Sequence, residues 1–184
     1  MNSGLIAYRY AKALLKFVQE TGAWEKVYSQ ACILVLRMQE IPALAEAIQK
    51  NSELVLERKV QLLDSALGVP MQEELRKFVG LVYDQKRMGF FKRMLFSFIE
   101  QYRKANSIKV GRLVTTLPVP ELRERLEAIL SESTRTSVIL EEELNSEILG
   151  GFIFELDGCR MDASVEGQLA RIRRQLLQNN NRIV

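Results

Sequence analysis

From Leu5 to Tyr102 the apolar residues recur at spacings of three and four with only brief interruptions, a pattern that buries side chains only as packed helices. The first segment carries Ile6, Tyr10, Ala13, Leu14 and Phe17 as one stripe and Ala7, Ala11, Leu15 and Val18 as an adjoining one. Arg9, Lys12, Lys16 and Gln19 are left on a narrow polar strip. An apolar arc this wide exceeds what one core contact needs, so this helix is expected to face two things. Thr21-Gly22 ends it, and Trp24, Val27, Tyr28, Ala31, Leu34, Val35 and Met38 mark a second helix. Pro42 opens a short third with Leu44 and Ile48 inward. Asn51-Ser52 offers a cap for a fourth, whose stripe is Leu56, Val60, Leu63 and Leu67 before Gly68. A fifth helix is read from Met71, Leu75, Phe78 and Val82, ending near Arg87 and broken by Gly89, and a sixth carries Phe91, Leu95, Phe98 and Tyr102. Short connections favour an antiparallel bundle.

The period changes at Ser107. Ile108, Val110, Arg112, Val114 and Thr116 alternate as a strand does, and Pro118 and Pro120 close it and open a helix with Leu122, Leu126 and Ile129 inward. Strands are expected over Ser137 to Glu142 and Gly151 to Leu156, then an Asp157-Gly158 hairpin turn leads to a short strand from Cys159 to Met161. A last helix carries Val165, Leu169, Ile172 and Leu176. The expected fold is mainly α, an N-terminal six-helix bundle over residues 1–106 and a small C-terminal α/β lobe over 107–184.

Chemistry is constrained by what is missing. There is no histidine, which removes Ser-His and Cys-His nucleophile systems and the commonest metal ligand. Two cysteines, Cys32 and Cys159, form neither a disulfide framework nor a zinc cage. Glu141, Glu142 and Glu143 alternate across a strand and so do not converge as an acid/base pair; they read as a solvated edge. Gly150-Gly151 lacks the spacing of a phosphate or dinucleotide loop and reads as a tight entry into a strand. No cofactor, metal or catalytic residue is therefore expected. The net charge of +3 is too small to imply a nucleic-acid partner. Lys86-Arg87 with Lys92-Arg93, and Arg171 with Arg173-Arg174, read first as solvated helix ends. No apolar run approaches the roughly 18 residues of a membrane span. Aromatic and apolar stripes of a bundle read first as core, but on the fifth helix Val79, Leu81 and Val82 broaden the apolar face, and side by side with the first helix it would form a groove for an amphipathic segment.

The stretch Ile148-Leu149-Gly150-Gly151-Phe152-Ile153, then Asp157-Gly158, then Met161-Asp162-Ala163-Ser164-Val165 with Leu169, resembles the signature of the delta subunit of F-type ATP synthases. That family includes the mitochondrial oligomycin-sensitivity-conferring protein. Arg9-Tyr10-Ala11-Lys12-Ala13-Leu14 is similar to the family's opening helix, and Asp84-Gln85-Lys86-Arg87 to the acidic-to-arginine end of its fifth. The order of these motifs covers nearly the whole chain. Ala163 stands where glycine is usual, Glu166 where arginine is common, and Asp157-Gly158-Cys159 replaces a Gly-Asp-Lys type of turn. With no transit segment ahead of the first helix, a bacterial subunit is expected.

The resemblance implies a non-catalytic stator connector in which the bundle grips N-terminal segments of the α subunits and the C-terminal part meets the C-terminal region of the peripheral-stalk b subunit. It thereby holds the catalytic head against rotor torque during proton-driven ATP synthesis. Carried onto this chain, the helix groove would be formed by Tyr10, Ala13, Leu14, Phe17, Phe78, Leu81, Val82 and Arg87, with Tyr10, Ala13 and Leu81 as the contacts expected first. The signature positions are Gly150, Gly151, Asp162, Ser164 and Val165. The basic final helix or the Glu141 to Glu143 edge would face the stalk. The expected location is peripheral, on the cytoplasmic face of the cell membrane, with no direct membrane insertion and no nucleic acid. The competing readings are a stand-alone adaptor for amphipathic helices and, behind it, an RNA-binding protein using the basic clusters.

Overall fold

A computed structural model describes residues 3–50 and 54–180, so Asn51-Ser52, read above as a helix cap, lies outside the described residues. The chain divides into two compact units, Met1–Ala105 and Asn106–Val184. Among the described residues the molecule is mainly helical, with one small four-stranded sheet in the second unit, as the sequence pattern predicts.

In the first unit α1 (Ser3–Thr21), α2 (Trp24–Glu40), α3 (Pro42–Gln49), α4 (Leu56–Leu67), α5 (Glu73–Asp84) and α6 (Phe91–Ala105) surround a core that includes Ala11, Leu14, Val18, Leu34, Leu63, Leu75, Phe91 and Phe98. Burying each larger side chain stabilises the bundle by roughly 1.5–3 kcal/mol. Gly22 and Gly68 both take left-handed backbone just past a helix end, where a side chain would be strained. Tyr28 stacks on Tyr102 with ring centroids 4.2 Å apart, and Arg103 Nε donates to the Tyr28 hydroxyl at 3.1 Å. Burial at this cluster, Tyr28's first and foremost, pushes both phenols above their ordinary range.

Two polar residues work inside the bundle. Buried Gln30 donates to the carbonyl of Pro70 and accepts from the amide of Gln72, which pins the link between α4 and α5. Lys59 is fully enclosed, and its Nζ donates to the carbonyls of Ala47, Ile48 and Lys50 at 3.0, 2.7 and 2.6 Å. Those carbonyls lie at and just past the C-terminal end of α3, where helix acceptors lack internal partners and the dipole favours a cation. Leu56 and Val60 are consequently only half-buried.

The fifth helix ends at Asp84, short of Arg87, near which the sequence pattern ends it. Lys86 adopts φ 54°, its amide donates to Tyr83, and the Arg87 amide reaches back to Val82 at 3.0 Å. This is a Schellman closure with lysine in the position glycine usually holds. Gly89, expected to break the helix, sits instead in a 3₁₀ turn over Met88–Phe90.

The second unit runs β1 (Ile108–Thr115), α7 (Pro120–Thr134), β2 (Ser137–Leu144), β3 (Phe152–Leu156), β4 (Cys159–Asp162) and α8 (Val165–Asn180). The sheet order is β2-β1-β3-β4, with β1 parallel to β2 across the α7 crossover and the other pairs antiparallel. Asp157 and Gly158 both take positive φ, as the tight β3–β4 hairpin requires. Leu113, Val138, Leu140 and Leu156 form one core cluster, covered by Leu126 and Leu130; Val114, Ile148 and Ile153 form another. Leu130 takes the inward place expected of Ile129, which is exposed. No helix among the described residues is long and apolar enough to cross a membrane.

Candidate functional site

Helices α1 and α5 leave an open trough of about 300 Å³ lined by Ala13, Leu14, Phe17, Lys77, Phe78 and Leu81. Its floor is apolar because α1 has two stripes: Ala7, Ala11, Leu14 and Val18 turn into the bundle, while Ala13 and Phe17 stay at the surface or half-buried. Leu81 is 49% exposed although it belongs to a helix whose neighbours Phe78, Val79 and Val82 are buried. Exposing a leucine on the rim of an apolar trough is unfavourable unless something covers it.

Tyr10 closes one end. Its ring meets Phe78 edge-on with centroids 6.4 Å apart, and its hydroxyl accepts from Arg87 Nη1 at 2.9 Å. The Arg87 guanidinium carbon also lies 5.4 Å from the Tyr10 ring centre. The Schellman closure of α5 delivers Arg87 to this position, so the αL lysine at 86 and the clasp on Tyr10 are one device. Lys77, which the sequence reading missed, stands on the trough wall, ion-paired with Glu73 at 2.7 Å. Its only signal was adjacency to Phe78 on the border of the apolar stripe. Val82 is corrected: it is fully enclosed by the bundle and faces away from the trough, so it anchors α5 and offers a partner no surface. Tyr10, Ala13, Leu14, Phe17, Phe78, Leu81 and Arg87 are brought together.

The residues Gly150, Gly151, Asp162, Ser164 and Val165 build the start of α8. Gly151 takes φ 74°, and a Cβ there would stand 2.3 Å from the Ala163 carbonyl oxygen. The close passage lets Ala163 N donate to Phe152 O and Val165 N to Gly150 O, each at 3.0 Å. Ser164 caps the helix, its hydroxyl accepting from Gly167 N at 3.0 Å and donating to Asp162 Oδ1 at 2.5 Å. That hydroxyl, with the Ser164 amide, holds the Asp162 carboxyl below its ordinary range.

Launched this way, α8 carries Val165, Leu169, Ile172, Leu176 and Leu177, all exposed. This stripe therefore has no cover among the described residues of the second unit. Its spacing of four, three and four is the seam of a two-helix coiled contact. Of the three consecutive glutamates, Glu143 forms a two-pronged pair with Arg112 at 2.6 and 2.7 Å, and Glu142 accepts from Val119 N at the head of α7. The hydrogen bond from Arg112 pulls the Glu143 carboxyl below its ordinary range. No group of three or more metal-ligating side chains is found among the described residues.

The model of the ATP synthase delta (OSCP) subunit family matches residues 6–176. The chain is 39% identical to the ATP synthase subunit delta of Phocaeicola vulgatus and 30% identical to that of Bacteroides thetaiotaomicron, in both cases over the full length of each chain. Among solved structures, a chain of the mitochondrial ATP synthase hexamer of Toxoplasma gondii matches with a TM-score of 0.60 at 19% identity, covering 93% of this chain and 97% of that one, a likeness of fold.

Proposed function

The chain belongs to the ATP synthase delta (OSCP) subunit family, non-catalytic components of the ATP synthase complex, and from that premise we propose that it is the stator connector between the catalytic head and the peripheral stalk. One observation carries this reading: the trough between α1 and α5 is apolar and open, and nothing among the described residues of its unit fills it. An N-terminal helical segment of an α subunit would lay its apolar face over Ala13, Phe17 and Leu81 and meet Tyr10 and Arg87 at the end. The small side chain of Ala13 lets the partner backbone approach, and each larger residue buried adds roughly 1.5–3 kcal/mol before the ordering cost.

The exposed stripe of α8 supports the second contact, with the C-terminal region of the stalk b subunit. Bound at both ends, the chain would transmit torque as tension between the head and the stalk and leave the chemistry to its partners. We place it peripherally at the cytoplasmic face of the membrane, held there by the complex. Ala13→Arg tests the head contact. Ala13 is exposed, so circular dichroism should be unchanged, while calorimetry with an α-subunit N-terminal peptide should show affinity falling about hundredfold or more. Unchanged affinity removes the trough from the proposal.

A further inference from the structure

The same helix α1 has a second open flank. Between α1 and α6 lies a trough of about 330 Å³ lined by Tyr8, Lys12, Leu15, Lys16, Gln101 and Lys104, among others. Its floor is apolar: Leu15 is half-buried and Tyr8 is 49% exposed, with the Tyr8 carbonyl accepting from Gln101 Nε2 across the two helices at 3.1 Å. Lys12 and Lys16 stand one turn apart on one rim and Lys104 on the other.

Some exposed cations of the unit are held by carboxylates and others, Arg9 and Lys26 among them, are not; what sets these three lysines apart is that they stand around one trough. Arg37, Lys50, Arg76 and Lys77 each lie within 3.1 Å of a carboxylate. Among the described residues Lys12, Lys16 and Lys104 have no ion pair, although Glu20 and Glu100 sit one turn from Lys16 and Lys104 on the same helices. Like charges are thus gathered around a concave apolar floor, where low-dielectric walls strengthen their joint field. A free polyanion would gain nothing from the floor, and a neutral apolar helix would leave the lysines unanswered.

We propose that the α1–α6 trough is a second docking site, separate from the α1–α5 trough, for an acidic amphipathic helix of another subunit of the complex. Its apolar face covers Tyr8 and Leu15; two carboxylates one turn apart meet Lys12 and Lys16, and one on the far side meets Lys104. From Tyr8 to Gln19 α1 advances about 16 Å, enough for three turns of the incoming helix. The inference rests on membership of the ATP synthase complex but not on the occupant of the other trough.

Photo-cross-linking in the intact synthase tests it, with p-benzoylphenylalanine in place of Gln19 and the captured peptide read by mass spectrometry. The expected product joins residue 19 to a helical segment of another subunit with carboxylates at that spacing. Lys12→Glu with Lys16→Glu should lower its yield about tenfold or more, and Lys12→Arg with Lys16→Arg should keep it. Ala13→Arg, which blocks the neighbouring trough, should leave this product in every complex that still assembles. The proposal is overturned by no product, by capture of a neutral or basic segment or of a second copy of this chain, or by a yield indifferent to charge reversal.

Discussion

Replacing Gly151 by alanine isolates the energetic reason for the double glycine. Left-handed backbone at φ 74° costs an L-residue about 1–2 kcal/mol. The added Cβ would also stand 2.3 Å from the Ala163 carbonyl oxygen and 3.2 Å from Ser164 Cα, backbone atoms that cannot swing aside. Relief requires the two segments to part, which gives up the 3.0 Å bonds from Ala163 N and Val165 N, about 0.5–1.5 kcal/mol each. The sum is about 2–5 kcal/mol, against about 4–12 kcal/mol available to a unit of about 80 residues. Gly158→Ala is the matched control: its φ is 79°, but nothing lies within 4 Å of the added carbon, so only the backbone term applies. Hydrogen exchange read by mass spectrometry should show faster exchange of Ala163 and Val165 in Gly151→Ala than in Gly158→Ala. The single Trp24, in the first unit, should report unchanged unfolding of the bundle. Equal effects of the two substitutions would refute the close-approach argument.

Lys59→Met should destabilise the bundle by about 2–4 kcal/mol, seen by thermal unfolding, because three carbonyls at the end of α3 lose their donor. Asp162 has a folded pKa below its unfolded value, so its contribution to the start of α8 is complete above the ordinary carboxylate range and is lost as pH falls through the lowered value. Amide exchange at Ser164 and Gly167 should accelerate only in that acid window, and in Asp162→Asn the acid dependence should disappear. Leu169→Asp with Ile172→Asp should leave the melting temperature within about 1–2 °C, since both side chains are exposed, while abolishing co-purification with the stalk.

The bundle was legible because each helix alternates core and surface at a single period, and glycines such as Gly22 and Gly68 mark ends with a residue type that signals them. Where the signal and the physics part company, the reading slipped. The end of α5 rests on Lys86 in a left-handed conformation, a position no composition rule assigns to lysine. The enclosure of Lys59 leaves no mark in the sequence pattern because its three acceptors belong to α3 and the residue just past it, and periodicity carries no information about tertiary partners. Val82 and Leu81 are adjacent on the same apolar face, and only packing decides that one is enclosed and the other open. The α8 stripe has the spacing of a core helix; that it is left uncovered depends on what the rest of its unit supplies. The signature around Gly151 and Asp162 was legible as a motif, but its meaning as a helix launcher emerged from the passage of Gly150-Gly151 against Ala163 and Ser164.

A cryo-electron microscopy map of the assembled synthase containing this chain puts the central claim to the test most directly. A helix of an α subunit should lie along Ala13, Phe17 and Leu81, with the exposed face of Leu81 covered. A well-defined head and bundle with the α1–α5 trough open to solvent would contradict it.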